Sequence, residues 1–227
     1  MKLFKNDLSP EFIHSKNDAE IYYKNCFLNK DEADDLFVKI LVATPWDKNH
    51  ITLFGKKHLI PRMESWHGDG NYKYSGIKHE AKGWTPELAF VKKRIEKFVD
   101  IKFNSVLANL YRDGSDSNGW HSDNEKELGE NPIIASLSLG ASRKFKLRNI
   151  RNGENIDLIL ENGSLLIMAG ATQTYWKHTV PKTRQNVSPR INLTYRVVNN
   201  LKLWTENQKP TESICGPLFF GGFDYAA

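Results

Sequence analysis

The feature that most constrains the fold is a series of short β-type segments between residues 103 and 198. Turn-forming Gly, Pro, Asn and Asp residues stand between them. Many short strands at close spacing favour a sandwich or barrel, and we predict a double-stranded β-helix, or jelly roll. The predicted strands cover residues 103–111, 133–139, 144–147, 156–160, 164–168 and 191–198.

Two amphipathic helices precede these strands, so the predicted class is mainly β with flanking helices (α+β). Asn29 followed by Glu32 is typical of a capping box that starts the first helix. Thr85 and Pro86 provide an N-cap and a first-turn proline for the second. We expect residues 1–24 to form a polar, irregular arm and residues 50–60 to form a short hairpin.

The composition of the 227 residues excludes several classes of protein. Two distant cysteines, Cys26 and Cys215, make neither a disulfide framework nor a paired-cysteine metal motif. No long apolar run or apolar leader is present, so we expect no membrane partner and a cytoplasmic location (bacterial), or the nucleus if the source is eukaryotic. The net charge of +5 is compatible with binding to phosphates, although many basic proteins do not bind nucleic acid.

A candidate metal site combines His121 and Asp123 with His178 further along the chain. On a strand, residues two apart point to the same face. Two histidines and one carboxylate form a facial triad that leaves coordination positions open on iron, as oxygenases require. A His-x-Asp tripeptide alone is weak, because such tripeptides arise often by chance.

The segment 190–196, Arg-Ile-Asn-Leu-Thr-Tyr-Arg, adds a second pattern. With a period of two, Arg190, Asn192 and Arg196 share one face of a strand. Two inward arginines need anionic partners, and a dicarboxylate such as 2-oxoglutarate can provide them. Asn109 and Tyr111 would place an amide and a phenol on one face of an earlier strand. The alternative is an outward polar face with both arginines in water.

Together these motifs resemble the AlkB family of nucleic-acid dealkylating dioxygenases. The resemblance covers roughly residues 50–198 and includes the segments 132–140 and 163–168. It implies a jelly-roll core with an N-terminal nucleotide-recognition lid, and Fe(II), 2-oxoglutarate and O2 as cofactors. The implied segments are an arm at 1–24, helices with the lid and a finger hairpin at 25–102, a catalytic core at 103–199, and a tail at 200–227 to which we assign no role.

The resemblance also implies a nucleic-acid interface, most like that of the branch acting on duplex DNA. Phe54, Gly55 and Lys56 resemble its finger hairpin, with Phe54 as the wedge that fills the gap left by a flipped base. Arg62 would contact DNA nearby. Without the resemblance, Phe54 is better interpreted as an ordinary core or turn residue.

Tyr72 and Tyr74 resemble the aromatic lid segment that stacks on the flipped base. Glu125 and Asn124 follow the metal motif, where related enzymes often carry two acidic residues. An acidic group suits a cationic alkylated base, and Asn124 cannot supply one. Glu125 is the other residue that could supply the charge, so the sequence leaves the preferred base open.

A basic segment lies between Gly140 and Gly153. We predict that Arg143, Lys144 and Arg148 contact DNA phosphates, which would set affinity more than sequence choice. A solvated charged strand is an equally good interpretation. Trp66, Trp84 and Trp120 are expected to pack rather than to bind a ligand.

The predicted activity is oxidative demethylation of bases such as 1-methyladenine and 3-methylcytosine in DNA, with release of formaldehyde and succinate, by a monomer that favours duplex DNA. Three alternatives remain: the same chemistry on RNA or single strands, a non-catalytic nucleic-acid-binding jelly roll, and a cupin-type oxidation of small molecules.

Overall fold

The computed structural model describes residues 3–4, 11–16, 18–53, 55–74, 77–79, 81–199 and 202–203. The helices are α1 (Lys30–Ala43), α2 (Pro86–Phe98) and the short α3 (Thr172–Tyr175). The strands are β1 (Glu11–Lys16), β2 (Ala19–Lys24), β3 (His50–Leu53), β4 (Lys56–Leu59), β5 (Met63–Gly68), β6 (Gly70–Tyr74), β7 (Ile77–His79), β8 (Ser105–Tyr111), β9 (Asn118–His121), β10 (Ile134–Gly140), β11 (Arg143–Asn149), β12 (Asn155–Leu160), β13 (Leu165–Ala169), β14 (Trp176–Val180), β15 (Arg190–Arg196) and β16 (Lys202–Leu203).

Two antiparallel sheets form the core. The larger has the order β1-β2-β13-β10-β15-β8-β5, and the smaller has the order β12-β11-β14-β9. Their facing side chains pack into one apolar cluster, in which Leu107 and Met168 of the large sheet join Phe145 and Val180 of the small one. Strands that are distant in sequence lie side by side in both sheets, which is the predicted jelly-roll arrangement.

The helices cover the other face of the large sheet. Leu36 of α1 and Val91 of α2 pack with Leu137 and Leu193 in a second apolar cluster. The large sheet is therefore buried on both faces. Alternate residues of β8 and β15 face the helices, while the residues between them face the small sheet and the space between the two sheets.

The helix ends form as the sequence predicts. The Asn29 side chain accepts the N–H of Glu32 while the Glu32 carboxylate accepts the N–H of Asn29, which completes the capping box of α1. Thr85 caps α2, and Pro86 occupies its first turn. Both helix predictions are confirmed.

The irregular arm predicted for residues 1–24 is wrong for two segments. Strand β2 pairs with β13 inside the large sheet, and β1 pairs with β2. Both faces of β2 are covered, since Ile21 belongs to the cluster between the sheets and Tyr22 to the cluster under the helices. The core thus begins well before residue 103, because β5 also belongs to this sheet.

Two small sheets lie outside the sandwich. Strands β3 and β4 form the predicted hairpin, with Leu53 opposite Lys56, and β6 pairs with both β7 and β16. Of the tail at 200–227, only residues 202–203 are among the described residues. None of the helices in the described part of the chain has both the length and the apolar character needed to cross a membrane.

Candidate metal and co-substrate site

Three potential metal ligands meet between the two sheets. His121 ends β9, Asp123 follows it, and His178 lies directly opposite His121 on β14. One ligand atom from each residue lies within 4.8 Å of the others. The predicted triad is therefore assembled, and it has the facial composition that suits an iron centre with open positions.

Hydrogen bonds select the tautomer of one imidazole. Nδ1 of His121 lies 2.8 Å from the carbonyl oxygen of Gly119, an acceptor that favours a proton on this nitrogen. Nε2 then carries the lone pair that can bind a metal, and the Asn118 amide nitrogen lies 3.2 Å from it. Nδ1 of His178 is buried and lacks a hydrogen-bond partner among the described residues. The imidazoles fit a site built to hold a cation.

The protonation states also fit a metal site. Burial, with a smaller contribution from His121, lowers the pKa of His178 to about 3. Burial likewise lowers the pKa of His121. Burial alone would raise the pKa of Asp123, but Arg196 and the two imidazoles outweigh it and hold that pKa at about 2. At neutral pH the site therefore presents two neutral imidazoles and a carboxylate, the forms that bind metals.

A buried guanidinium lies in the same space. Arg190 is 1% exposed, and its Nη2 donates to Oγ of Ser138 at 3.0 Å. Its Nε and Nη1 have no hydrogen-bond partner in the described part of the chain. The ring of Tyr111 is 5.1 Å from its Cζ atom. A buried cation with unused donors is costly unless an anion joins it, so this residue fits a bound carboxylate.

The register of β8 against β15 brings the other predicted residues together. Arg190 lies opposite Tyr111, and Asn192 lies opposite Asn109. All four line the cavity that also contains the triad. Arg196 lies there too and donates from Nη2 to Oδ1 of Asp123 at 2.9 Å. The alternative of an outward polar face is wrong, because Ile191, Leu193 and Tyr195 are the residues that face the helices.

Two predicted DNA contacts are buried, and these assignments are wrong. Arg62 donates to Asn109 Oδ1 at 2.8 Å and forms an ion pair with Glu64 at 2.6 Å. Arg143 donates to the carbonyl oxygens of Asp113, Asp116 and Pro181. Neither guanidinium is exposed enough to reach a phosphate. Each stands in a basic part of the sequence, but tertiary packing supplies its partners.

The remaining predicted contacts differ in how exposed their side chains are. Gly55 and Lys56 lie exposed in the β3–β4 hairpin, and Gly55 has the positive φ of 75° that a tight hairpin turn requires. Asn124 is exposed, whereas Oε2 of Glu125 is buried and unbonded among the described residues. Burial, reinforced by Asp123, raises the pKa of Glu125. Phe54 and the side chains of Tyr72 and Tyr74 lie outside the described residues.

Sequence patterns missed several residues that shape the site. The side-chain oxygen of Gln173 accepts the backbone N–H of Asp123 at 2.9 Å. Phe145 stacks against His178 with ring centroids 5.3 Å apart. Ser138 contacts Arg190, and Asn118 contacts His121. The outward face of β11 was not missed, because Lys144 and Arg148 were predicted as contacts and both are exposed.

The tryptophans divide into two groups. Trp66 is buried, and Trp84 stacks on Tyr195 with ring centroids 6.4 Å apart. Trp120, by contrast, is 48% exposed. Packing is therefore confirmed for Trp66 and Trp84 and wrong for Trp120.

A basic groove runs along the outside of β11. It is lined by Lys144 and Lys146 and by Lys182 and Arg184 from the segment between β14 and β15. Lys146 is paired with Asp157 at 2.9 Å. The two cations from the loop were not among the predicted contacts, because the sequence does not place them beside β11.

Comparison with known proteins identifies similar sequences and structures. The 2OG-Fe(II) oxygenase superfamily matches residues 20–196. Alpha-ketoglutarate-dependent dioxygenase alkB homolog 3 of Bos taurus is 42% identical over 182 residues, which cover 76% of this chain and 64% of that protein. DNA oxidative demethylase ALKBH2 of Mus musculus is 34% identical over 203 residues, which cover 84% and 85%.

A solved structure is also similar. The structure of OsALKBH1 superposes with a TM-score of 0.58 at 15% identity, and the match covers 81% of this chain and 99% of that one. At that identity the likeness concerns the fold alone. The chain spans a little under two thirds of the length of the homolog 3 proteins that it matches.

Proposed function

Because this chain belongs to the AlkB family within the 2OG-Fe(II) oxygenase superfamily, we propose that it is an Fe(II)- and 2-oxoglutarate-dependent dioxygenase that removes methyl groups from alkylated bases in DNA. A relative that covers most of its length is named a DNA oxidative demethylase. The proposed lesions are of the 1-methyladenine and 3-methylcytosine type.

The observation that carries this proposal is the buried Arg190 beside the metal triad. His121, Asp123 and His178 would hold Fe(II). When bound, Fe(II) with 2-oxoglutarate and O2 supplies the oxidation of an N-methyl group, which leaves as formaldehyde while the co-substrate becomes succinate and CO2. A dicarboxylate fits this site, because one carboxylate can pair with the buried guanidinium of Arg190 and the other can bind the nearby metal.

The chain's own residues bind and orient. Arg190, with Tyr111, would bind the distal carboxylate of 2-oxoglutarate. Asn109 and Arg196 lie further along the same pair of strands and would engage the end nearer the metal. Asn192 accepts from Thr194 and donates to Ser136, which fixes the polar wall of the cavity between them. The two apolar clusters exclude water on either side of the large sheet.

For the substrate, the proposal is a flipped base held at the cavity that contains the triad. Tyr72 and Tyr74 would stack on that base, and Glu125 with Asn124 would face its alkylated ring. The exposed hairpin β3–β4 supports a preference for duplex DNA, with Phe54 as the filler of the emptied position. Exposed cations of the groove, among them Lys144 and Lys182, would contact phosphates.

The protein is proposed to act as a monomer. We place it in a compartment that holds DNA, which is the cytoplasm of a bacterium or the nucleus of a eukaryotic cell. The similarity to proteins named for demethylating DNA supports this choice.

The test is demethylation by the iron-loaded protein with 2-oxoglutarate and O2. One substrate is a duplex that contains 1-methyladenine, and the other is the same strand unpaired. Mass spectrometry follows loss of the methyl group, succinate is quantified, and Asp123→Ala is the control. Faster repair of the duplex supports the whole proposal, while faster repair of the unpaired strand rejects the duplex preference. Failure to form succinate with either would reject the enzyme assignment in favour of a binding module.

A further inference from the structure

The outer face of the small sheet carries an exposed aromatic and basic patch. Residues on β9 alternate, so His121 points into the metal site while Trp120 points outward. Trp120 is 48% exposed. It lines a shallow surface depression whose other members are Arg148, Asn149, Ile150, Gly153 and Lys177. A large indole left in solvent on a strand that also carries a metal ligand is not explained by packing.

The two cations of the patch are available for binding. Arg148 on β11 pairs directly with Lys177 on β14, so their side chains lie on the same outward face. Both are exposed. Neither is engaged in an ion pair or a hydrogen bond with other described residues, in contrast to Lys146, which is paired with Asp157. None of the described residues that line the depression carries a carboxylate, so its charge complements an anion.

The position of the patch connects it with the metal site. Strand β9 is an edge strand of the small sheet, and Trp120 directly precedes His121 in the chain. A nucleic-acid strand that crosses this edge can place one base at the inner site and a nearby base on the indole outside. An aromatic ring beside cations is the combination that binds unpaired nucleotides, because the base stacks and the phosphates pair with the cations.

We propose that Trp120, Arg148 and Lys177 form a stacking platform for an unpaired nucleotide of the substrate strand. The platform rests on the proposed demethylase activity, though not on the duplex preference. It gives the protein a second contact, outside the reaction site, with a substrate strand that is unpaired next to the flipped base. Trp120 provides the surface for the base, and the two cations bind the flanking phosphates. Sequence preference at this position is weak, because every base has a stacking face.

The test measures binding and needs no turnover. Fluorescence anisotropy follows a fluorescein-labelled, unmodified oligothymidylate and a labelled duplex of the same length, with the full chain. Trp120→Leu keeps apolar bulk and removes the aromatic face, whereas Trp120→Phe keeps a face. The matched control is Phe90→Ala, because Phe90 is also a half-exposed aromatic residue (47%) but lies on α2, beyond the large sheet.

We expect Trp120→Leu to weaken oligothymidylate binding roughly tenfold, which is the loss of one stacked base. Trp120→Phe should retain most of the affinity, and Phe90→Ala should not change it. If Trp120→Leu binds the oligothymidylate as the control does, or weakens duplex binding by the same factor, the platform is refuted, because a paired base offers no free face for stacking.

The two cations are tested by the salt dependence of binding. The double variant Arg148→Gln, Lys177→Gln should flatten the slope of log affinity against log salt by roughly 0.7 for each lost phosphate contact. Lys93→Gln, an exposed cation on α2, is the control. An unchanged slope in the double variant would refute the phosphate contacts.

The demethylase assignment and the stacking platform can fail independently of each other. If the wild-type chain forms no succinate with methylated DNA but Trp120→Leu still loses oligothymidylate binding, the demethylase assignment is wrong and the platform stands. If succinate forms but the Trp120 variants bind normally, the platform is wrong and the demethylase assignment stands.

Discussion

Replacement of Arg190 by methionine should make the metal-free protein more stable while weakening its affinity for 2-oxoglutarate. Arg190 is 1% exposed, and two of its three nitrogens lack hydrogen-bond partners among the described residues. Burial, only partly opposed by Tyr111, lowers the pKa of this guanidinium to about 10. At pH 7 it therefore remains charged, and its desolvation is poorly compensated until an anion binds.

The magnitudes follow from that geometry. Replacing a buried ion pair by apolar side chains of similar volume is often neutral or stabilises by about 1–4 kcal/mol, and Arg190 has no charged partner among the described residues. The bond to Ser138 is lost, which costs about 1 kcal/mol. The net gain in the free energy of unfolding is then at most about 3 kcal/mol. Loss of one partner of a buried charge pair costs about 2–5 kcal/mol in binding, so the dissociation constant for 2-oxoglutarate should rise at least about thirtyfold.

Urea unfolding of the metal-free proteins and anaerobic calorimetric titration with 2-oxoglutarate measure the two effects. Arg190→Lys is the control, because it keeps the charge and loses the forked geometry; it should show no gain in stability and a partial loss of affinity. If Arg190→Met bound 2-oxoglutarate like the wild type, the carboxylate assignment would be wrong. If the variant were clearly less stable without co-substrate, the reasoning on the uncompensated charge would be wrong.

Four further predictions concern single substitutions. Asp123→Ala should abolish iron binding, because Asp123 is the carboxylate among the three candidate ligands that the described residues bring together. A metal titration that still saturates would contradict this. Gln173→Ala should weaken metal affinity about 10–100-fold, since its side chain holds the backbone of Asp123, and metal competition measures the change, with Gln173→Glu keeping the acceptor as the control. Burial, opposed by the Gly83 carbonyl, lowers the pKa of His67 from its ordinary value of 6.5. The stabilising contribution of the neutral ring is therefore complete above pH 6.5 and is lost as the pH falls below that value. Urea midpoints at pH 7.5 and 5.5 should differ less in His67→Asn than in the wild type, and an equal difference would assign the acid sensitivity elsewhere. Phe54→Ala should slow repair of a methylated duplex more than repair of the same strand unpaired, and equal slowing in the mass-spectrometric assay would remove the wedge role.

Much of the site was predictable because its signals are local. In the segment 190–196, polar and apolar residues alternate, and a strand converts that alternation into two faces. The structure places Arg190 and Arg196 toward the metal triad and Ile191 and Leu193 under the helices. The helix caps at Asn29 and Thr85 were equally local, since a cap involves residues only three positions apart.

The failures share a different cause. Arg62 and Arg143 have the same side chain as a phosphate-binding arginine, and nothing next to them in sequence shows that Asn109 or the Pro181 carbonyl will receive their donors. Strand β2 was not recognised because its burial depends on β13, which lies far away in the chain. The exposure of Trp120 was missed because a tryptophan is usually buried at least in part.

The sequence by itself determined the period of each element, the helix ends and the residue types of the triad, because these depend on backbone geometry and on neighbours within one turn or one pleat. Only the tertiary structure decided which cations are buried and which are free, because the partner that compensates a charge can come from any part of the chain. Arg190 and Arg143 illustrate the difference. Both are buried, yet carbonyl oxygens bind the second, while the first keeps donors directed at the cavity beside the metal site.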